Sequence, residues 1–428
     1  MQIQPASFAF TLLLGFLAAV PYSGIDINLP ALAATGVTLG VSPSEVGLTM
    51  SAFMLSLAVA PLLYGPVSDL FGRKPVVVVG VALFMVASLA CAVAQSLPVL
   101  LICRFVQGIG AASTATTFAI IRDLFDETTA RAKIANVVIA INVVTVIAPT
   151  AGAALLTFGS WRSIYAMQAG IGALLLLAVL LGFAESARID PTSRLVPAAV
   201  VQSYVRVLTH PLSFAYILVG AAGGATVFGY VTGSSLFFIG VVGLRPHQYG
   251  LIFSACSMAV MSGALLDGRL GRRGISTALV LTIGLTLMAT AAVTLFAMTV
   301  ARWTPPSLVA TLLMAVALAF GMSVPNIMNA TMQPLPEIAG AVGAATGSIQ
   351  MTAGAVSSGL VAVLFDGRSA LSMTTVMAAC SLLALIAYRL LARPAERRIH
   401  SQAVEVAAAI ESARQSYDCA IPSKKHNR

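Results

Sequence analysis

Apolar residues run in long blocks along almost the whole chain, and polar residues are confined to short gaps between them. The blocks predict twelve helices, at approximately 8–31, 45–66, 75–95, 97–121, 133–158, 162–184, 212–239, 248–266, 276–299, 307–330, 341–364 and 371–391. Each approaches the ~20 residues that cross a hydrocarbon core. Helix-start signals punctuate the gaps. Ser42-Pro43-Ser44-Glu45 reads as a capping box with proline in the first turn, and Pro98, Pro211 and Pro246 stand at or just before other starts. Gly159-Ser160-Trp161-Arg162 reads as a tight turn at the membrane interface, with the indole at headgroup level.

Composition supports the same fold class, an all-α membrane protein. The 428 residues are 58% hydrophobic and 9% charged, against roughly 25% charged in a soluble domain. The net charge of +9 does not point to nucleic acid. Its basic residues lie in the gaps, where they set membrane orientation. With both termini inside, nineteen of the 24 Lys and Arg residues fall on the inner side; only Arg162, Arg245, Arg302 and Arg368 fall outside, and Arg104 lies within a span. The expectation is a multi-pass protein of the bacterial inner membrane with cytoplasmic termini. The first apolar run has no basic residue before it and is too long for a cleavable signal.

The longest internal polar gap, residues 185–211, divides the spans six and six. This predicts two pseudo-symmetric six-helix halves: residues 1–190 and 212–392, with a central cytoplasmic loop at 191–211 and a cytoplasmic tail at 393–428. A weak repeat supports the division. Gly65-Pro-Val-Ser-Asp69-Leu-Phe-Gly72-Arg73-Lys74 follows the second span, and Gly263-Ala-Leu-Leu-Asp267-Gly-Arg-Leu-Gly271-Arg272-Arg273 follows the eighth. Residues 399–413 read either as an amphipathic surface helix or as a solvated tail.

Asp26 is the one acid placed clearly within a span. A charge at that depth costs a few kcal/mol at least, and protonation relieves the cost. It is therefore a candidate proton carrier; an interfacial aspartate capping local backbone is the alternative. Arg104, at matching depth, is its candidate partner or else a clamp on backbone carbonyls. Tyr22, Asn28, Asn142, Tyr230, Asn326, Asn329 and Gln350 are polar or aromatic residues within spans. They are candidates for a largely apolar substrate cavity, or for hydrogen bonds between packed helices. Glycines in the seventh and eleventh spans, and Ala148, Pro149 and Gly152 in the fifth, permit close helix contact.

Other signals carry no chemistry. Gly108-Ile-Gly110 lies inside a span and cannot be a phosphate loop. Asn329-Ala-Thr331 matches a glycosylation acceptor on the wrong side. The four histidines have no metal spacing, and the five cysteines suggest no disulfide framework. There is no phosphate-loop string for an ATP-driven pump and no catalytic pair within the spans, so neither an enzyme nor a cofactor is expected.

The string Gly65 to Lys74 resembles the signature of the major facilitator superfamily between its second and third helices. Arg104-Phe-Val-Gln107-Gly108-Ile-Gly110 resembles that family's fourth-helix motif. Asp26-Ile-Asn-Leu-Pro30, Trp161-Arg162 and Pro336-Glu-Ile-Ala-Gly340 resemble the Bcr/CflA-type drug:proton antiporters. The resemblance covers residues 8–392. It implies a monomeric secondary exporter that moves hydrophobic or amphipathic drugs against protons, with an endogenous metabolite as the alternative cargo. It also implies a cytoplasmic gate of Gly65, Asp69, Gly72, Arg73, Lys74 and Arg122, with Asp69 facing the start of the eleventh helix near Ala341 when the transporter opens outward. The antiporter motif departs from the family pattern in the fifth span, where Ala148-Pro149 and Gly152-Ala153 stand for Gly-Pro and Gly-Gly. The implied partners are a small-molecule substrate, protons and the bilayer.

Overall fold

A computed structural model describes residues 4, 5, 7–182, 184–186 and 197–398. The tail segment 399–413 lies outside them, as do Cys419, His400 and His426. The described chain forms thirteen helical stretches: α1 Phe8–Leu39, α2 Pro43–Phe71, α3 Arg73–Ala92, α4 Leu97–Leu124, α5 Glu127–Phe158, α6 Trp161–Gly182, α7 Pro197–Thr209, α8 Pro211–Val241, α9 Pro246–Arg272, α10 Thr277–Val300, α11 Pro306–Met332, α12 Ala339–Val363 and α13 Leu371–Arg398. Helices follow because the bilayer offers backbone groups no water, so each must bond within its own segment.

Eleven of these are long and apolar enough to cross a membrane. The twelfth crossing helix is α12, 25 residues long and rich in glycine, serine and threonine. The remaining stretch, α7, falls in the polar gap and is a surface helix that the hydropathy pattern does not predict. Its Val207 packs with Leu335 and Val342 near the start of α12, and Arg206 pairs with Glu337 at 2.6 Å.

Helix starts follow local chemistry. The Ser42–Glu45 capping box is formed, with the Ser42 amide donating to Glu45 Oε2 at 2.8 Å and the Glu45 amide to Ser42 Oγ at 3.3 Å. Asp126 caps α5 by accepting from the Thr129 amide. The first crossing helix is broken near its far end. Regular helix stops at Asp26, and a tight turn at Leu29–Ala31 precedes the last segment, Leu32–Leu39. Pro30 lies in the turn, where it has no amide to donate.

The first six crossing helices meet the last six along two seams, α2 against α12 and α5 against α9. At the end away from the Gly65–Lys74 loop, both seams are tight. Ser51 and Ser358 hydroxyls are 3.2 Å apart, Ser254 Oγ donates to the Val146 carbonyl at 2.6 Å, and Ser235 Oγ donates to the Leu29 carbonyl at 2.6 Å. At the loop end the helices part. A Cβ built on Gly65, Gly340 or Gly347 would meet nothing within 4 Å. The bundle is therefore closed at one end and open at the end bearing the basic loops. Gly65, expected in the cytoplasmic gate, borders open space in this conformation.

Candidate functional site

Around α1 stand α2, α4, α5 and α6, and its break places Asp26 at the end of the regular helix. Asp26 is 6% exposed, and among the described residues no side-chain hydrogen bond or ion pair holds its carboxylate. Three tyrosines, Tyr22, Tyr230 and Tyr249, stand in its neighbourhood. Tyr22 is one turn back on α1 and is 40% exposed, while Tyr230 and Tyr249 come from α8 and α9. The latter two flank Phe253, with ring centroids 5.8 and 6.1 Å away, and Tyr249 bonds Ser234 at 3.0 Å. An acid from the first half thus faces an aromatic group from the second. Tyr249, Phe253 and Ser234 were not singled out from sequence, where nothing distinguishes them from packing residues.

Arg104 is fully buried, and among the described residues it has no carboxylate partner. Its Nη1 donates to Gln107 Oε1 at 2.7 Å and its Nη2 to the Gly24 carbonyl at 3.1 Å. The guanidinium lies 4.1 Å from the centroid of the Phe53 ring, a contact worth up to ~2 kcal/mol when desolvated. Gln107 passes the network on, donating to Ser88 Oγ at 2.7 Å and to Gln168 Oε1 at 2.8 Å. The expected Asp26–Arg104 ion pair is not made in this conformation; Arg104 holds the α1 backbone two residues before Asp26. Gly24 makes this possible, since a Cβ there would stand 2.6 Å from the Phe53 ring.

The other candidates separate into groups. Asn28 is buried and donates to the Gly24 carbonyl at 2.9 Å. Asn142 bonds back to the Val138 carbonyl at 2.8 Å. Asn326 is committed elsewhere, donating to Asp267 Oδ1 at 2.7 Å. That bond ties α9 to α11 and removes Asn326 from the site's free polar groups. Asn329 is exposed near the open end. Gln350 fills the space left by Gly224, where a Cβ would lie 2.6 Å from its Cγ.

The loop motif forms a compact electrostatic group. Arg73 pairs with Asp69 at 2.5 Å and with Asp123 at 2.9 Å. Glu185 caps the start of α3, accepting from the backbone amides of Arg73 and Lys74 at 2.8 and 3.1 Å. Gly72 is at φ +94° with the carboxylate against its α-carbon, so a side chain would be strained there and would also collide. Lys74 reaches the Leu180 carbonyl at 3.1 Å. Asp69 is 65% exposed and faces Arg73 at the start of the next helix, α3, not α12. Arg122 is exposed and makes no ion pair among the described residues; the next residue, Asp123, takes the place expected of it. One step along a helix turns a side chain by about 100°, enough to exchange their roles.

The fifth-helix motif also has a definite position. A Cβ on Gly152 would overlap the Ile27 carbonyl at the break in α1, and one on Gly250 of α9 would lie 3.2 Å from the Pro149 carbonyl. Ala148 and Pro149 are buried beside them. Trp161 corrects the sequence reading. It is buried at 1% exposure and packs edge-on against Tyr165, because the α3–α4 hairpin covers it. Arg162 bonds that hairpin at the Ala94 carbonyl, 2.9 Å away. The exposed tryptophan is Trp303.

The sequence pattern of the Major Facilitator Superfamily matches residues 11–362. The chain belongs to this superfamily. It is 25% identical over 395 residues to the bicyclomycin resistance protein homolog of Haemophilus influenzae, covering 91% of this chain and 97% of the relative. To multidrug resistance protein D of Escherichia coli K12 it is 31% identical over 361 residues, covering 82% and 88%. Among solved structures it resembles a POT family transporter in complex with 5-aminolevulinic acid, with TM-score 0.73 and 15% identity over 92% of this chain and 98% of that one. A D-xylose–proton symporter gives TM-score 0.70 at 16% identity over 90% and 98%. These likenesses establish the twelve-helix fold. The superfamily member described here is a multi-pass membrane transporter and not an enzyme.

Proposed function

We propose that the protein is a proton-coupled exporter of small hydrophobic or amphipathic compounds, working by alternating access in the bacterial inner membrane. The observation that carries this reading is Asp26: a buried carboxylate with no counter-charge among the described residues, set between the two halves near phenols from both. The neutral acid is the form such surroundings hold at least cost. In this proposal the end bearing the basic loops faces the cytoplasm, so the conformation is inward-open with Asp26 protonated. Closure of that end brings Gly65 of α2 toward α12 and parts the Ser51–Ser358 and Ser254–Val146 contacts, so that cargo leaves outward and Asp26 takes up a proton from outside; reopening inward lets Asp26 release that proton to the cytoplasm as the next cargo binds. The two six-helix halves, 1–190 and 212–392, move as bodies. Relatives named for bicyclomycin and multidrug resistance support drugs as cargo.

The test is proton movement in energised everted membrane vesicles carrying a pH-sensitive dye. A drug panel of phenicols, bicyclomycin-like compounds and lipophilic cations is added to the native protein and to Asp26→Asn. Drug-evoked proton release that disappears in the variant supports the reading. Release that persists in the variant removes Asp26 from the coupling, and silence across the panel with folded protein present removes drugs as the cargo.

A further inference from the structure

Away from the central site, the loop end of the bundle carries a groove of about 340 Å³ between the start of α8 and the end of α13. Pro211, Phe214, Leu390, Leu391 and Pro394 give it apolar walls, and Arg398 stands at its edge. A π-helical turn at Tyr388–Ala392 shapes it. Tyr388 is drawn inward by its bond to the Ala278 carbonyl at 3.0 Å, leaving Leu390 and Leu391 68% and 48% exposed. Wide turns of this kind recur at functional positions.

The one charged residue that lines the groove is Arg398, and Arg389, Arg393 and Arg397 precede it within ten residues of the same helix. The acid among them, Glu396, accepts a hydrogen bond from the Tyr216 phenol at 3.1 Å, which turns it toward α8. An apolar trough on the side of a membrane protein, with Arg398 in its lining, matches a lipid with an anionic headgroup: acyl chain along Phe214 and Leu391, phosphate at Arg398. We propose that this groove is a binding site for one anionic phospholipid.

The experiment is native mass spectrometry of the full chain, purified and delipidated, with phosphatidylglycerol or phosphatidylcholine added in equal amounts. Phosphatidylglycerol is expected to give the more persistent adduct. Arg398→Gln should lower its occupancy about fivefold, corresponding to ~1 kcal/mol for one basic residue. Arg398→Lys should retain most of it, and Arg245→Gln, outside the groove, should leave it unchanged. Arg398 is exposed, so these variants should fold, as thermal unfolding checks. Equal retention of the two lipids, or phosphatidylglycerol binding indifferent to Arg398→Gln, would overturn the proposal and leave the groove as ordinary lipid-facing surface.

Discussion

Arg104 reaches α1 at the carbonyl of Gly24, two residues short of Asp26, so a buried cation and a buried acid on neighbouring helices each stand without an opposite charge among the described residues. Guanidinium geometry is what holds this arrangement: one nitrogen serves Gln107, another Gly24, and the flat face lies on Phe53. An ammonium cannot reproduce all three contacts. Arg104→Lys is therefore expected to lose roughly 1.5–3 kcal/mol of stability, the range for a hydrogen bond to a charged group, and most transport. Thermal unfolding and vesicle uptake measure the two; full transport in the lysine variant would leave Arg104 only its charge.

Ser51 and Ser358 face each other across the closed end. A Ser51→Cys, Ser358→Cys double variant should form a disulfide under mild oxidation, since the two side chains already touch across the seam. Transport should stop on oxidation and return with a thiol reductant. Native protein given the same oxidant is the control, and transport that continues in the cross-linked protein would show that this end does not open.

Two glycines separate stability from motion. Gly152→Ala places a methyl against the Ile27 carbonyl and should destabilise the fold by ~1–3 kcal/mol, as overpacking does. Gly65→Leu meets open space in this conformation and should fold normally, yet obstruct closure of the loop end. The expected result is an unchanged unfolding temperature with transport reduced at least about tenfold, a barrier change of ~1.4 kcal/mol. Unimpaired transport would place the moving seam elsewhere.

The pH profile distinguishes two aspartates. Hydrogen bonds from Thr128 and Thr129 hold the Asp126 carboxyl down at about 2. A carboxyl held below its unfolded value contributes stability that is fully present above about pH 4 and is lost as pH falls toward 2. Asp126 therefore does not titrate between about pH 5 and 8. Asp126→Asn keeps a good cap and should leave the pH dependence of transport over that range unaltered, whereas Asp26→Asn should flatten it. A profile changed by the Asp126 variant would contradict this division.

The crossing helices were legible because lipid demands long apolar runs, and observed ends fall within a few residues of the expected ones for most of them. The loop and fourth-helix motifs were legible as strings. Their contacts were not. Glu185 caps α3 from more than a hundred residues away, Asn326 turns from the cavity to Asp267, and Trp161 is covered by a hairpin from elsewhere in the sequence. Each outcome depends on a neighbour brought close only by folding. The surface helix α7 did leave a trace, since Tyr204 and Val207 recur on one face. A hydropathy reading tuned to twenty-residue spans passes over thirteen residues.

The composition of α12 has a further consequence for how the chain is made. With five glycines, three serines, two threonines and Gln350, this segment has little to gain from leaving a translocon for lipid by itself. Its natural surroundings are protein: α2 on one side and α8 on the other. An isolated α12 segment should insert less efficiently in a glycosylation-mapping assay than α10, whose 24 residues are far more apolar. The helix that bridges the two halves is then also the one whose entry into the membrane waits for helices already there, and its biogenesis becomes a cooperative act of the whole bundle.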